Sequence, residues 1–195
     1  MGYVVFHMEK ARGSDSAMTA HIERTSHPKN ADESRTHLNR TLIEYPEGVK
    51  DRTAAIQHRL EHAGLKRKIG SNQVRAIRIN LSGSPEDMAR IEATGQLDAW
   101  CADSLQYLFD TFGRENIVSA HLHMDEKTPH IHATLVPIVQ AARTRRKKED
   151  QVKRHYRKKS ADTPRLCADD IMTRGKLKSY QDGYAKAMSH HGLQR

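Results

Sequence analysis

Apolar positions recur along the chain in two periods, and the switch between them predicts its elements. Gly2 to Met8 reads as a first strand, and a helix follows from Asp15 or Ser16, a candidate N-cap, through Ala17, Met18, Ala20 and His21 towards Arg24. Thr36 to Ile43 alternates as a second strand stopped by Pro46, and Val49 to Ala63 is helical with Gly64 as its C-terminal stop. Val74 to Leu81 forms a third strand, after which Ser84, Pro85, Glu86 and Asp87 open a short helix. The clearest periodicity runs from Gln96 to Phe112, where Leu97, Trp100, Cys101, Leu105, Leu108 and Phe112 share one helical face and Gly113 ends it. Asn116 to His123 and Thr128 to Ile138 are strands four and five. Ala168 to Ser189 reads as one or two helices, interrupted near Gly175 and ending at Gly192. Five strands with helices interposed predict an α+β domain with a mainly antiparallel five-stranded sheet flanked by helices, a single domain over residues 1–195.

The junction of strands four and five changes this from a fold to a site. His123-Met124-Asp125-Glu126-Lys127-Thr128-Pro129-His130-Ile131-His132 places three imidazoles and a carboxylate around one short connection. Side chains alternate along a strand, so His130 and His132 share a face while Ile131 points to the core. The connection is short enough to make the two strands antiparallel neighbours, and His123 arrives beside them. Three neutral nitrogen ligands leave coordination positions open, the pattern of a catalytic metal centre rather than a closed structural one. The bland alternative is a structural histidine cluster, since a lone His-x-His on a strand carries little weight.

Composition sets bounds on the rest. The 195 residues suffice for one domain with a substantial core, and two cysteines, Cys101 and Cys167, argue against a disulfide framework or a thiolate metal site. The N-terminus lacks a basic flank followed by a long apolar stretch, and no later segment has the length of a membrane span. A soluble, unexported protein of a reducing cytoplasm, with no membrane contact from this domain, is the expectation. The formal charge of +9 is local: residues 143–159 hold ten Lys and Arg against Glu149 and Asp150, so this segment carries +8 of it. Within it Arg145, Arg146, Lys147, Lys148, Lys153 and Arg154 are candidate contacts to a phosphate backbone, with a solvated charged loop as the alternative.

Joined to two upstream segments, the histidine cluster resembles the mobilisation relaxases of the MobV class, also called Mob/Pre proteins, within the HUH endonuclease superfamily. The segments coincide in order: His21-Ile22-Glu23-Arg24, then Ser34-Arg35-Thr36-His37-Leu38-Asn39, then the cluster itself, and Met188 to Leu193 resembles the end of the family's catalytic domain. The resemblance implies an enzyme that binds a single-stranded or hairpin-containing origin of transfer and nicks one strand. It also implies covalent attachment to the 5′ phosphate and passage of that strand to the conjugation coupling machinery through the full-length protein. In most HUH enzymes the nucleophile is tyrosine; the MobV class resembles an exception in which the first-motif histidine, here His21, attacks, with manganese or magnesium as the metal. Such relaxases continue into a further helical region, so the chain is expected to be an N-terminal catalytic fragment.

Physical chemistry fits roles to these residues. A divalent cation held by His123, His130 and His132 stabilises charge developing on a phosphodiester in in-line attack. An imidazole nucleophile must be neutral, which the reference pKa of about 6.5 permits at neutral pH. A carboxylate on the other ring nitrogen would orient it, and Glu126 is the candidate, with Asp125 a further acceptor for a liganding histidine. Arg24, three residues after His21 on one helical face, is placed to set a guanidinium beside the phosphate. Arg35, His37 and Asn39 are candidates for DNA contact. His121 shares a face with His123 and is left out of the ligand set. Three other readings stand beside this one: a tyrosine nucleophile, with Tyr45 and Tyr3 nearest; a non-catalytic nucleic-acid-binding protein; and a hydrolase of small phosphoesters or peptides, disfavoured by the absence of His-Glu-x-x-His and by the concentrated basic charge.

Overall fold

The computed structural model describes residues 2–11, 15–140 and 163–195. The basic segment 143–159, and with it Arg145, Arg146, Lys147, Lys148, Lys153 and Arg154, lies outside the described residues. Strand β1 (Gly2–Ala11) leads to helix α1 (Ser16–Ile22), a 3-10 helix over Glu33–Leu38, strand β2 (Arg40–Thr41), helix α2 (Arg52–Glu61), strand β3 (Ala76–Gly83) and helices α3 (Pro85–Ala93) and α4 (Leu97–Phe112). Then follow β4 (Ile117–His123), β5 (His130–Leu135), β6 (Ile138–Val139), β7 (Arg165–Leu166), α5 (Ala168–Ile171), α6 (Arg174–Ala187), a 3-10 turn over Ser189–His191 and β8 (Leu193–Gln194).

The main sheet has six strands in the order β2-β4-β5-β3-β1-β8, antiparallel except where β8 joins β1 in parallel at Gly2 and Tyr3. Period-two alternation gives the sheet two faces. Phe6 and Met8 of β1, Ile77, Ile79 and Leu81 of β3, Ala120 and Leu122 of β4 and Ile131, Ala133 and Leu135 of β5 point into the main core. Trp100 and Leu108 of α4 and Tyr184 of α6 cover that face. Burying each of these large side chains contributes about 1.5–3 kcal/mol, which pins the register and sends the alternate positions to the opposite face. Those alternates include Asn80, His121, His123, His130 and His132. A smaller core of Ile56 and Leu60 from α2 with Ala11, Ala76, Val136 and Ile138 closes one end.

Four expectations are corrected here. The sheet gains a sixth strand, β8, too short at two residues to show a period. The stretch 36–43 is mostly not strand: Asp32 accepts from the Ser34 backbone N–H at 3.0 Å and caps a 3-10 helix, Leu38 is 41% exposed, and only Arg40–Thr41 pair with β4. The fifth strand ends at Leu135, because Pro137 has no N–H for the ladder, and Ile138–Val139 pair instead with β7. The C-terminal helical region breaks at Thr173, whose Oγ1 accepts from Lys176 N–H, and Gly175 lies inside α6. Gly113, at φ 87°, ends α4 in a backbone conformation a side chain would strain. Among the described residues no helix is long and apolar enough to cross a membrane.

Candidate metal centre

The β4–β5 hairpin closes with His123 directly opposite His130, and Ile131 points into the core between His130 and His132 as the spacing predicts. The three rings converge: one nitrogen from each of His123, His130 and His132 lies within 4.8 Å of the others. His130 Nδ1–H donates to the Thr128 carbonyl at 2.9 Å, which leaves its Nε2 lone pair free, 3.1 Å from Nε2 of His132. His123 Nε2–H donates to the Ile22 carbonyl at 2.8 Å, so its Nδ1 carries the lone pair. Burial pushes His132 down to about 2, with neighbouring His130 and His123 adding to the effect, and burial likewise lowers His130. His130 and His132 are therefore neutral at physiological pH, the state in which imidazole binds a cation. The donor set fits a divalent metal with open positions, on one condition: Arg24 Nη2, 3.0 Å from His123 Nδ1, must withdraw from that lone pair.

Helix α1 crosses this face and delivers His21, whose ring centre lies 5.9 Å from that of His132 and 6.3 Å from that of His123. Burial, then the charge of Arg24, lowers its pKa, and Glu126 works the other way. Among the described residues no hydrogen bond fixes the His21 ring. The helix is held at both ends. Asp15, left-handed at φ 53°, makes no cap with its side chain; its carboxylate instead accepts from Arg52 Nη2 at 2.7 Å. Arg52 is fully buried and also donates to Thr134 of β5 and Thr19 of α1, at 2.6 and 3.2 Å. At the other end Glu23 Oε1 accepts from the Arg52 backbone N–H at 2.6 Å and from Tyr45 Oη at 2.7 Å.

Arg24 does not share a helical face with His21. The helix ends at Ile22, and Arg24 adopts φ 55°, a conformation that costs a non-glycine residue about 1–2 kcal/mol. What holds it there is a clamp: Nε and Nη2 donate to the two oxygens of Asp125 at 2.8 and 2.7 Å, Nη2 to Glu126 at 2.8 Å, and Nη1 to the His21 carbonyl at 2.8 Å. Its side chain is 6% exposed and that of Asp125 fully buried, so the guanidinium is engaged within the protein rather than presented to a phosphate. Glu126 does not reach His21 either. Its Oε1 faces Arg24 and lies 3.8 and 3.9 Å from His123 and His130, while Oε2 accepts from Asn30 at 2.8 Å. The His123 ring, then Arg24, draw the Glu126 carboxyl down to about 2 against the effect of burial.

Asp125, expected to accept from a liganding histidine, bonds none among the described residues and is instead the junction of the site. Beyond Arg24 it accepts from Asn39 Nδ2 at 2.7 Å and Thr36 Oγ1 at 3.2 Å, and its carbonyl accepts from Asp32 N–H at 2.7 Å. Burial favours its protonated form, but the donors outweigh burial and hold the carboxyl far below the usual range. Asn39 is used internally on both sides, its Oδ1 accepting from Met124 N–H at 2.7 Å, whereas Arg35 is half-buried and His37 exposed on the 3-10 helix. Arg52 and Asn30 were missed by sequence reasoning; nothing in their local sequence marks them. His121 is outside the cluster, 3.0 Å from Tyr45 Oη, and burial takes it to about 4. Burial and Glu23 push the Tyr45 phenol well above its ordinary range, and Tyr3 is on β1, two strands from β5.

Known proteins share this fold. The relaxase domain of MobM (MOBV; Mob_Pre), solved with manganese and a 22-nucleotide origin-of-transfer DNA of plasmid pMV158, superimposes with a TM-score of 0.76 at 24% identity over 99% of this chain and 90% of that one. A second structure of that domain, with 23 nucleotides and manganese, gives 0.73 at 25% identity over 99% and 88%. A 65 kDa protein of Zymomonas mobilis is 30% identical over 99% of this chain and 30% of its own length. A plasmid recombination enzyme of Bacillus thuringiensis is 26% identical over 98% of this chain and 38% of its own length, so the chain spans about a third of these relatives. The Mob_Pre family, described as plasmid recombination enzyme, matches residues 1–195, and the chain belongs to that family.

Proposed function

We propose that this domain is a metal-dependent relaxase. It nicks one DNA strand at an origin of transfer by transesterification and remains attached to the 5′ phosphate through His21. The observation that carries this reading is the position of His21: its neutral, half-buried ring lies beside His123 and His132, two of three imidazoles suited to one divalent cation. Manganese or magnesium at His123, His130 and His132 would supply electrostatic stabilisation of a non-bridging phosphate oxygen. His21 attacks phosphorus with the lone pair of one ring nitrogen while the other keeps its proton. The bond to the 3′ oxygen breaks, that oxygen takes up a proton from solvent, and the phosphoramidate retains the linkage energy for resealing. Asp125 and Glu126 position the site through Arg24, which they hold against the His21 carbonyl. Arg35 and His37, on the exposed 3-10 helix, and the six basic residues of segment 143–159 are assigned to the DNA backbone on their charge. The reaction belongs in the bacterial cytoplasm, where plasmid DNA lies, with the attached strand passed to the coupling machinery by the whole protein.

Incubation with labelled origin DNA and manganese tests this. The adduct forms, is lost in mild acid as a phosphoramidate is, and is absent in His21→Ala while Tyr45→Phe retains it. An acid-stable adduct, or one that survives His21→Ala, rejects the histidine assignment. The buried Tyr45 phenol, already donating to Glu23, is poorly placed to replace it.

A further inference from the structure

On the opposite side of the sheet, three ligand-type side chains meet that the relaxase reading does not use. Asp103 projects from α4, and His190 and His191 lie in the 3-10 turn that leads into β8. Asp103 Oδ2 lies 2.8 Å from Nε2 of His190 and 2.8 Å from Nε2 of His191, the ring centres are 4.0 Å apart, and the three ligand atoms fall within 4.8 Å of one another. Consecutive residues of a 3-10 helix point about 120° apart, so two adjacent imidazoles converging on one oxygen run against the default of their backbone. The left-handed Gly192 that follows, at φ 78°, turns the chain away immediately afterwards.

We propose that Asp103, His190 and His191 form a second cation site, selective for a late first-row divalent metal such as zinc or cobalt. Two imidazole nitrogens and one carboxylate oxygen are a donor set that such ions bind more tightly than magnesium or calcium do. The spacing needs only a small adjustment: tetrahedral ligands at about 2.1 Å from an ion are about 3.4 Å apart, so the two hydrogen-bonded 2.8 Å pairs open by about 0.6 Å as the ion replaces the shared protons. One ligand is buried and two are accessible, the side chains of His191, Asp103 and His190 being 4, 42 and 59% exposed, so an ion reaches the site from solvent without unfolding. With three protein ligands it completes its shell with water. Its effect is a staple: it ties α4 to the turn before β8, whose Leu193 pairs with Gly2 of β1. Arg90 supports the turn from the other side, donating to the His191 carbonyl at 2.7 Å.

Equilibrium dialysis of the whole chain with zinc or cobalt tests the site separately from DNA cutting. Wild type takes up two equivalents, His130→Ala one, His190→Ala with Asp103→Ala one, and the combination none. Cobalt bound to His130→Ala gives a visible d–d band that disappears when His190 and Asp103 are replaced, and zinc raises the Tm of His130→Ala only while both are present. His130→Gln repeats the series should His130→Ala not fold, with circular dichroism as the check. Uptake by folded His130→Ala or His130→Gln that is zero, or unchanged on replacing His190 and Asp103, overturns the proposal and leaves a hydrogen-bonded cluster only. Magnesium competing as strongly as zinc overturns the metal class.

Discussion

Replacing Arg52 with methionine isolates what holds the His21 helix in place. The substitution keeps much of the buried volume but removes the donors to Asp15, Thr134 and Thr19, while the Arg52 backbone N–H to Glu23 survives. Removing one partner of a buried ion pair costs about 3–5 kcal/mol, because the remaining charge is left in a poor solvent. Here the lower end applies: the Asp15 side chain is 10% exposed, and Arg78 at 4.0 Å gives partial relief. About 3 kcal/mol is a large share of the 5–15 kcal/mol that stabilises an ordinary domain. Urea unfolding followed by circular dichroism reads the loss directly, and Arg52→Met with Asp15→Asn, which removes both charges, should recover about half or more of it. Because His123, His130 and His132 are on β4 and β5 while His21 is on α1, manganese affinity should change by less than about tenfold as strand cutting falls further, a difference of 1.4 kcal/mol or less on binding. A cost under about 1 kcal/mol, or a double variant no more stable than the single one, refutes the idea that this pair anchors α1.

Acidification should destabilise the fold in two stages. His121 and His132 are held neutral, at about 4 and about 2, so between pH 6.5 and 5 the unfolded chain binds protons that the folded chain refuses, and stability falls by about 2 kcal/mol per histidine by pH 5. Asp125 and Glu126, both depressed, stay ionised in that window and lose their contribution only below the ordinary carboxylate range; a urea midpoint equal at pH 7.5 and pH 5 would refute the histidine part. Asn39→Ala strips a donor from Asp125 and leaves the Met124 N–H unpaired, for a loss of about 1–3 kcal/mol in urea unfolding. Manganese at a hundred times its Kd should add about 2.7 kcal/mol to wild-type stability and much less to His130→Ala, checked by thermal melts with and without chelator.

The long apolar periods were legible: the face from Leu97 to Phe112 and the alternation through β3, β4 and β5 emerge as read, because tertiary packing rewards the period that sequence displays. So was the convergence of His123, His130 and His132, which follows from strand alternation and one short turn. What failed were elements decided by single polar side chains. Asp32 converts an apparent strand to a 3-10 helix, and Arg24 leaves the helix it was assigned to because two carboxylates about a hundred residues later hold it. Long-range pairing of charges has no period, so the roles of Asp125 and Arg52 could not be read from their neighbours.

The bonds between Arg24 and Asp125 span 101 residues, and those of Thr36 and Asn39 to the same carboxylate span 89 and 86. Closing loops of that length is slow compared with forming a helix or a hairpin. During synthesis, therefore, a ribosome-bound chain that has not yet exposed β5 carries His21 on a helix that can meet Tyr45 and Arg52 but not the histidine face of the sheet. The meeting of His21 with the histidine cluster comes into being only as the last central strand is inserted, and hydrogen exchange at the α1 amides would report that late event.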